Sequence, residues 1–348
     1  MLLKELTELS GVSGNEGDVR EYIKKAVKEY ADEIRIDSMG NLIAHKKGVS
    51  SKYKVMLAAH MDEVGFIITG YGEAGSLKFK PIGAIDERIL AGKRVVIGNS
   101  KICGIIDHKP ESMQGMENSN GLSVPVSIYI GCDRKDETEK LVQPGDYATF
   151  LSEYFEMEGD YIKSKALDDR TGCVILMEML KKRYTFDFYA CFTVQEEIGL
   201  RGAEVASYTV KPDYAIVIDT VLASDISDIK KHNYISSLGK GPVITVMDQF
   251  SYANSDLFKL IKNTAIENNI DIQCILDTVG GNDAGRIQCS NEGVRVASIN
   301  IPCRYIHSAV SIINKHDLES CLQLVSCVLT ELDINHDKIS ANKNGGKG

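Results

Sequence analysis

The chain has 348 residues, 43% of them hydrophobic and 26% charged, and a formal net charge of −9. That balance belongs to a globular protein long enough for two domains and a large buried core. It speaks against a partner held by phosphate neutralisation, which needs Lys and Arg clustered on one face, so nucleic acid is not an expected partner.

The start, MLLKELTELSGVSGNEGDVREYIKK, is broken by Lys4, Glu5 and Glu8 and reads neither as a signal peptide nor as a membrane anchor. Apolar positions at Leu2, Leu3, Leu6 and Leu9, then at Val19, Tyr22, Ile23 and Val27, recur at helical spacing. They predict two helices on either side of a Gly-Val-Ser-Gly turn at Gly11 to Gly14. A strand is expected over Asn41 to His45. Tyr53 to Ala59 (YKVMLAA) is short, apolar and bounded by polar residues, the pattern of a fully buried strand.

From Gly65 to about Met157 the texture changes to short β-like runs between Gly and Pro: SLKFKPIG, KRVVIG, KICGII, VSIYIG and DYATFLSEYF. Residues 65–160 therefore read as a small β-rich domain inserted between two parts of a larger one, 1–64 and 161–335. In the second part the predicted order is helix Thr171 to Lys182, strand Phe186 to Val194, strand Tyr214 to Asp219, helix Ser255 to Asn268, strand Val294 to Ile301 and helix His316 to Leu332. This alternation predicts an α/β fold, a mostly parallel sheet flanked by helices. The polar tail 336–348 is expected to be disordered.

No run reaches the roughly 18 apolar residues of a spanning helix, and no membrane partner is expected. The nine cysteines are odd in number and lack a C-x-x-C pair, and Cys173, Cys191 and Cys327 sit inside apolar runs. They read as reduced thiols of a cytoplasmic protein.

The chemistry-bearing residues fall just beyond apolar runs. VMLAA ends in His60-Met61-Asp62, CFTV leads through Gln195 into Glu196-Glu197, AIVI ends in Asp219, and ASINIPCRYI ends in His307. In open α/β sheets, ligands bind outside the carboxyl ends of the strands, so these side chains can converge. Asp168 and Asp169 join them from the start of a helix, where carboxylates are favoured.

Taken singly, His60 reads as a core histidine satisfied by a carbonyl, Asp168-Asp169 as a helix cap, and Asp219 as a turn residue. The pair His60-x-Asp62 is more pointed, because residues two apart on an extended segment face the same way and a carboxylate can fix the tautomer of a metal-binding imidazole. Adjacent Glu196 and Glu197 at the exit of a buried strand repel unless a cation is near. Three carboxylates at Asp168, Glu197 and Asp219 with two neutral imidazoles come close to neutrality with two divalent cations and one hydroxide. The mixed oxygen and nitrogen set suits Zn²⁺, with Co²⁺ or Mn²⁺ as replacements. The remaining histidines, His45, His108, His232, His316 and His336, have no carboxylate partner at a recognisable spacing.

The segments AHMDEVGF, KALDDRTG, TVQEEIGLRGA, VIDT and IPCRYIHS, in this order, resemble the tetrahedral (TET-type) dinuclear metallo-aminopeptidase family, which includes glutamyl and deblocking aminopeptidases. The text at Ala84 to Val95 and GGNDAGRIQ at Gly280 to Gln288 match as well, so the resemblance runs from Leu2 to about Leu332. It implies that His60, Asp168 and Asp219 hold one metal while Asp168, Glu197 and His307 hold the other. Glu196 is then the general base and Asp62 orients His60. It also implies a PDZ-like inserted domain used for assembly, and homo-oligomers that are dimers or tetrahedral dodecamers. Asn282 stands where the family usually has Thr, which bears on substrate contacts, and Asp107 to Gly121 departs from the usual pattern of the assembly domain.

The expected reaction is metal-dependent hydrolysis of the first bond of peptides with a free amino terminus, Glu196 taking the proton of a metal-bridged water. Two rivals stand beside it. A metal-independent glycoside hydrolase of endoglucanase type would use paired carboxylates and leave His60 and His307 idle. A non-catalytic metal-bound assembly protein would keep the ions for structure, although such sites are usually closed and thiolate-rich.

Overall fold

The computed structural model describes residues 2–107, 127–276 and 280–341; most of the departing stretch 107–121 and the last seven residues lie outside them. The chain opens with helices α1 (Leu2–Glu8) and α2 (Gly17–Val27) and strands β1 (Glu33–Ile36), β2 (Leu42–Lys46) and β3 (Lys54–His60). Next come β4 (Gly65–Tyr71), β5 (Leu77–Ile82), β6 (Arg94–Ile97), β7 (Ile102–Ile106), β8 (Ile128–Tyr129), a short helix α3 (Lys135–Thr138) and β9 (Tyr147–Phe150). The rest alternates: β10 (Phe155–Met157), β11 (Tyr161–Ser164), α4 (Leu167–Met179), β12 (Asp187–Thr193), α5 (Arg201–Val210), β13 (Tyr214–Leu222) and β14 (Val243–Met247). It closes with α6 (Ser255–Glu267), β15 (Gln273–Leu276), α7 (Ala284–Gln288), β16 (Arg295–Arg304), β17 (Ser311–Asn314) and α8 (Lys315–Ala341).

Four parallel strands in the order β12-β3-β13-β16 form the centre of the large sheet. Their residues alternate between two cores, as the period of two requires. Val55, Leu57 and Ala59 of β3 face a core shared with α1, α2, α4, α6 and α8, while Met56 and Ala58 face a smaller one under α5 and α7. Helix α2 is held by Val19, Ile23 and Val27, buried at helical spacing; each contributes about 2 kcal/mol of apolar burial. Asn254 caps α6 by accepting from Leu257 N–H at 3.1 Å.

The expectation of a mostly parallel sheet holds at this centre and fails at the flanks. β2 joins β12 antiparallel, and β14 and β17 join β16 antiparallel, with β11 and β10 beyond β17. Where consecutive strands are joined by a short turn, as β1 to β2, β10 to β11 and β16 to β17 are, antiparallel pairing follows.

Strands β4 to β9 close a separate barrel in the order β4-β5-β8-β7-β6-β9, filled by Phe66, Ile68, Leu77, Val95, Ile97, Ile128 and Phe150. Phe155–Met157, read from sequence as part of this β-rich region, belongs instead to the large sheet through β11. Helix α8 continues past Leu332 to Ala341, so the first residues of the segment expected to be disordered are helical. Among the described residues, no helix is long and apolar enough to cross a membrane.

Candidate metal centre

The carboxyl ends of the central strands bring the sequence-derived residues together. β3 ends at His60, β12 leads into the turn carrying Glu196 and Glu197, Asp219 lies on β13, and His307 follows β16. Asp168 and Asp169 precede the regular turns of α4, with non-helical backbone and a cis peptide bond between them.

Asp168 lies between the two imidazoles. Its Oδ1 is 3.2 Å from His60 Nε2 and its Oδ2 is 3.3 Å from His307 Nε2. Asp219 Oδ1 approaches His60 Nε2 at 3.7 Å, and Glu197 Oε2 approaches His307 Nε2 at 3.1 Å. All five proposed ligands thus meet, two on one side of Asp168 and two on the other.

Both imidazoles are oriented from behind by a carbonyl oxygen. His60 Nδ1 lies 3.1 Å from Asp62 O, and His307 Nδ1 lies 3.0 Å from Ala84 O in the loop after β5. A carbonyl only accepts, so each Nδ1 carries the proton and donates it, which turns Nε2 towards the carboxylates. The Asp62 carboxylate is farther from the ring, at 3.5 Å. Its two oxygens accept from Glu196 N–H at 3.0 Å and Glu197 N–H at 3.2 Å, a task the sequence did not suggest.

The electrostatics are those of a site crowded with buried acids. Burial pushes the Glu196 carboxyl well above its ordinary range, with Asp219, Glu197 and Asp283 adding to the rise. Burial likewise lifts Glu197 to about 8 and Asp283 to about 7. Burial pulls His307 down, but the Glu197 and Asp168 carboxylates outweigh it and leave it at about 9. Among the described residues, Asp169 Oδ2 and Asp283 Oδ1 are buried with no hydrogen-bond partner. Such a cluster is costly without cations and fits divalent ones, which would take up the negative charge and use the two Nε2 atoms.

Ligand atoms of His60, Asp168 and Glu197 lie within 4.8 Å of one another, and so do those of His60, Asp169 and Asp219. Asp169, which the sequence brought to the same strand ends without a ligand role, thus belongs to the cluster. Asp283 was missed; it accepts from Thr193 Oγ1 at 2.6 Å at the start of α7, and the matching GGNDAGRIQ text was the available signal. Asn282 is buried, its Oδ1 taking Ala284 N–H and its Nδ2 donating to Ser298 Oγ. It supports the α7 turn from inside.

A family model described as M42 glutamyl aminopeptidase matches residues 40–324. The lysyl aminopeptidase of Pyrococcus furiosus is 32% identical over 95% of this chain and 96% of its own. The structure of an aminopeptidase from the archaeon Desulfurococcus kamchatkensis superposes with a TM-score of 0.90 at 34% identity, covering 95% of this chain and 94% of that one. The TET1 peptidase of Pyrococcus horikoshii, which can assemble into a tetrahedron or a large octahedral shell, gives 0.82 at 33% identity over 94% and 98%. Fold, site and relatives define a hydrolase of peptide bonds, an aminopeptidase. The chain belongs to the M42 glutamyl aminopeptidase family.

Proposed function

We propose that the enzyme removes single residues from the amino terminus of peptides with two divalent metal ions, Zn²⁺ or in its place Co²⁺ or Mn²⁺. His60, Asp168 and Asp219 would hold one ion, and Asp168, Glu197 and His307 the other. The observation that carries this reading is the division of the Asp168 carboxylate, one oxygen towards each imidazole. When bound, the ions would acidify the attacking water and polarise the carbonyl of the scissile bond.

The protein's own groups supply the rest. Glu196, whose carboxyl is raised by burial, takes the proton of the attacking water and returns it to the leaving amine. Glu197 and Asp219 would accept from the substrate's free amino group with the oxygens they do not give to the ions, which fixes the first peptide bond over the site and makes cleavage exopeptidic. Asp62 serves as a positioning residue through its hold on the Glu196 and Glu197 amides.

The barrel built from β4 to β9 is proposed as the assembly module of a homo-oligomer, a dimer or a dodecamer, by analogy with the shell-forming TET1 peptidase. The nine free cysteines support a place in the reducing cytoplasm. The glycoside-hydrolase reading is not favoured, since it gives the paired imidazoles no task. Activity on aminoacyl chromogenic substrates, measured after chelation and after reconstitution with each metal, tests the proposal. Glu196→Gln is expected to lower kcat by about three orders of magnitude while the ions stay bound. Full activity in that variant refutes the base, and a glucanase activity that survives chelation without peptidase activity refutes the reaction.

A further inference from the structure

The Gly-Val-Ser-Gly turn between α1 and α2 has no part in the chemistry described so far, yet it reaches the turn that bears the base. Gln195, Glu196 and Glu197 present three consecutive amide N–H groups, and a buried carboxylate takes each one. Glu16 Oε1 accepts from Gln195 at 3.2 Å, Asp62 Oδ1 from Glu196 at 3.0 Å, and Asp62 Oδ2 from Glu197 at 3.2 Å. Consecutive amides that face one way form a concavity that favours anions. Glu16 is 4% exposed and Asp62 fully buried, which shields the accepting side of these bonds from water.

The two carboxylates are themselves held from the N-terminal turn. Ser13 Oγ donates to Asp62 Oδ2 at 2.6 Å, and Gly14 N–H donates to Glu16 Oε1 at 2.6 Å. The turn is tied to the segment after His60 by Glu63 N–H to Gly11 O at 2.9 Å and by Gly11 N–H to Glu63 Oε1 at 3.0 Å. Gln195 has a φ of 56°, a left-handed conformation that a non-glycine residue keeps only where its surroundings hold it.

We propose that Glu16 and Ser13 are positioning residues for the reaction: Glu16 by holding Gln195 N–H, and Ser13 by fixing the Asp62 carboxylate, set the backbone from which Glu196 reaches the reacting water. This rests on the aminopeptidase reading given above. A small displacement of a base costs turnover rather than substrate affinity, which separates positioning from mere bracing of the fold.

The test compares Glu16→Ala and Ser13→Ala with Glu16→Gln and Ser13→Thr, beside wild type and Glu196→Gln, on aminoacyl p-nitroanilides with the bound metal of each measured. Both alanine variants are expected to lose about ten- to a hundredfold in kcat with KM within about twofold and ion content unchanged. The Gln and Thr variants, which keep the acceptor and the hydroxyl, should return to within about threefold of wild type. Hydrogen exchange in the metal-free protein should speed up in the peptide 194–200 of the alanine variants. Should Glu16→Ala fail to fold, Glu16→Asp, which withdraws the acceptor by one methylene, is expected to show the same kcat loss in weaker form.

Wild-type kcat in the alanine variants overturns the proposal, and so does a loss that follows the loss of bound ions. If wild type itself cleaves no aminoacyl substrate, the aminopeptidase reading falls, and the exchange measurement still decides whether Glu16 and Ser13 hold the turn.

Discussion

At the residue scale, Asp168 is the hinge of the account, because one carboxylate faces both imidazoles. The two sides of the site should therefore fail differently. His307→Ala removes a donor from one side only, and the variant is expected to bind one ion per chain and to lose at least about a hundredfold in activity. Asp168→Asn touches both sides and should bind neither ion tightly. Metal analysis after gel filtration checks both; two ions retained in Asp168→Asn would contradict the shared role. His60, Glu197, Asp219 and His307 were legible in the sequence because each ends or follows an apolar run, and strand ends converge. Ser13 and Glu16 were not, since their partners lie 49 and 179 residues away and no local period announces such contacts.

At the element scale, helix α5 packs its start directly on the end of β12. Gly202 N–H donates to Val194 O at 3.0 Å, and Asn41 Nδ2 donates to Gly202 O at 2.9 Å. A methyl group on Gly202 would collide with Asn41 Oδ1 and with the Val194 backbone, neither of which can move freely. Gly202→Ala is expected to destabilise the protein by about 1–3 kcal/mol, read as a lower Tm, and to weaken activity because the same contact closes the turn of Glu196. An unchanged Tm would show that α5 sits less closely than described. The central strands β3, β12, β13 and β16 could be read from sequence as buried apolar runs. The flanking β11, β14, β15 and β17 could not, because short strands take their pairing from neighbours elsewhere in the chain.

At the scale of the whole molecule, the barrel and the large sheet meet at the site. The loop after β5 supplies Ala84 O to His307, and Gly83 in the same loop, at a φ of 82°, lies beside Val64 and Glu197. Turn signals in the sequence marked the β-rich region, but the closure of its strands into a barrel depends on pairings between distant segments. If the barrel governs assembly, light scattering on the purified protein should report a multiple of the 38.3 kDa chain, and deleting residues 65–150 should yield single chains; a stable monomer at micromolar concentration would contradict that role.

If the peptidase works through two ions held by these five residues, titrating the metal-free protein with Zn²⁺ while following bound metal and aminoacyl-substrate turnover together will show it. No turnover is expected without metal, with saturation at two ions per chain and activity that depends on the second ion. Full activity in the metal-free protein, or saturation at a single ion with full activity, would contradict it.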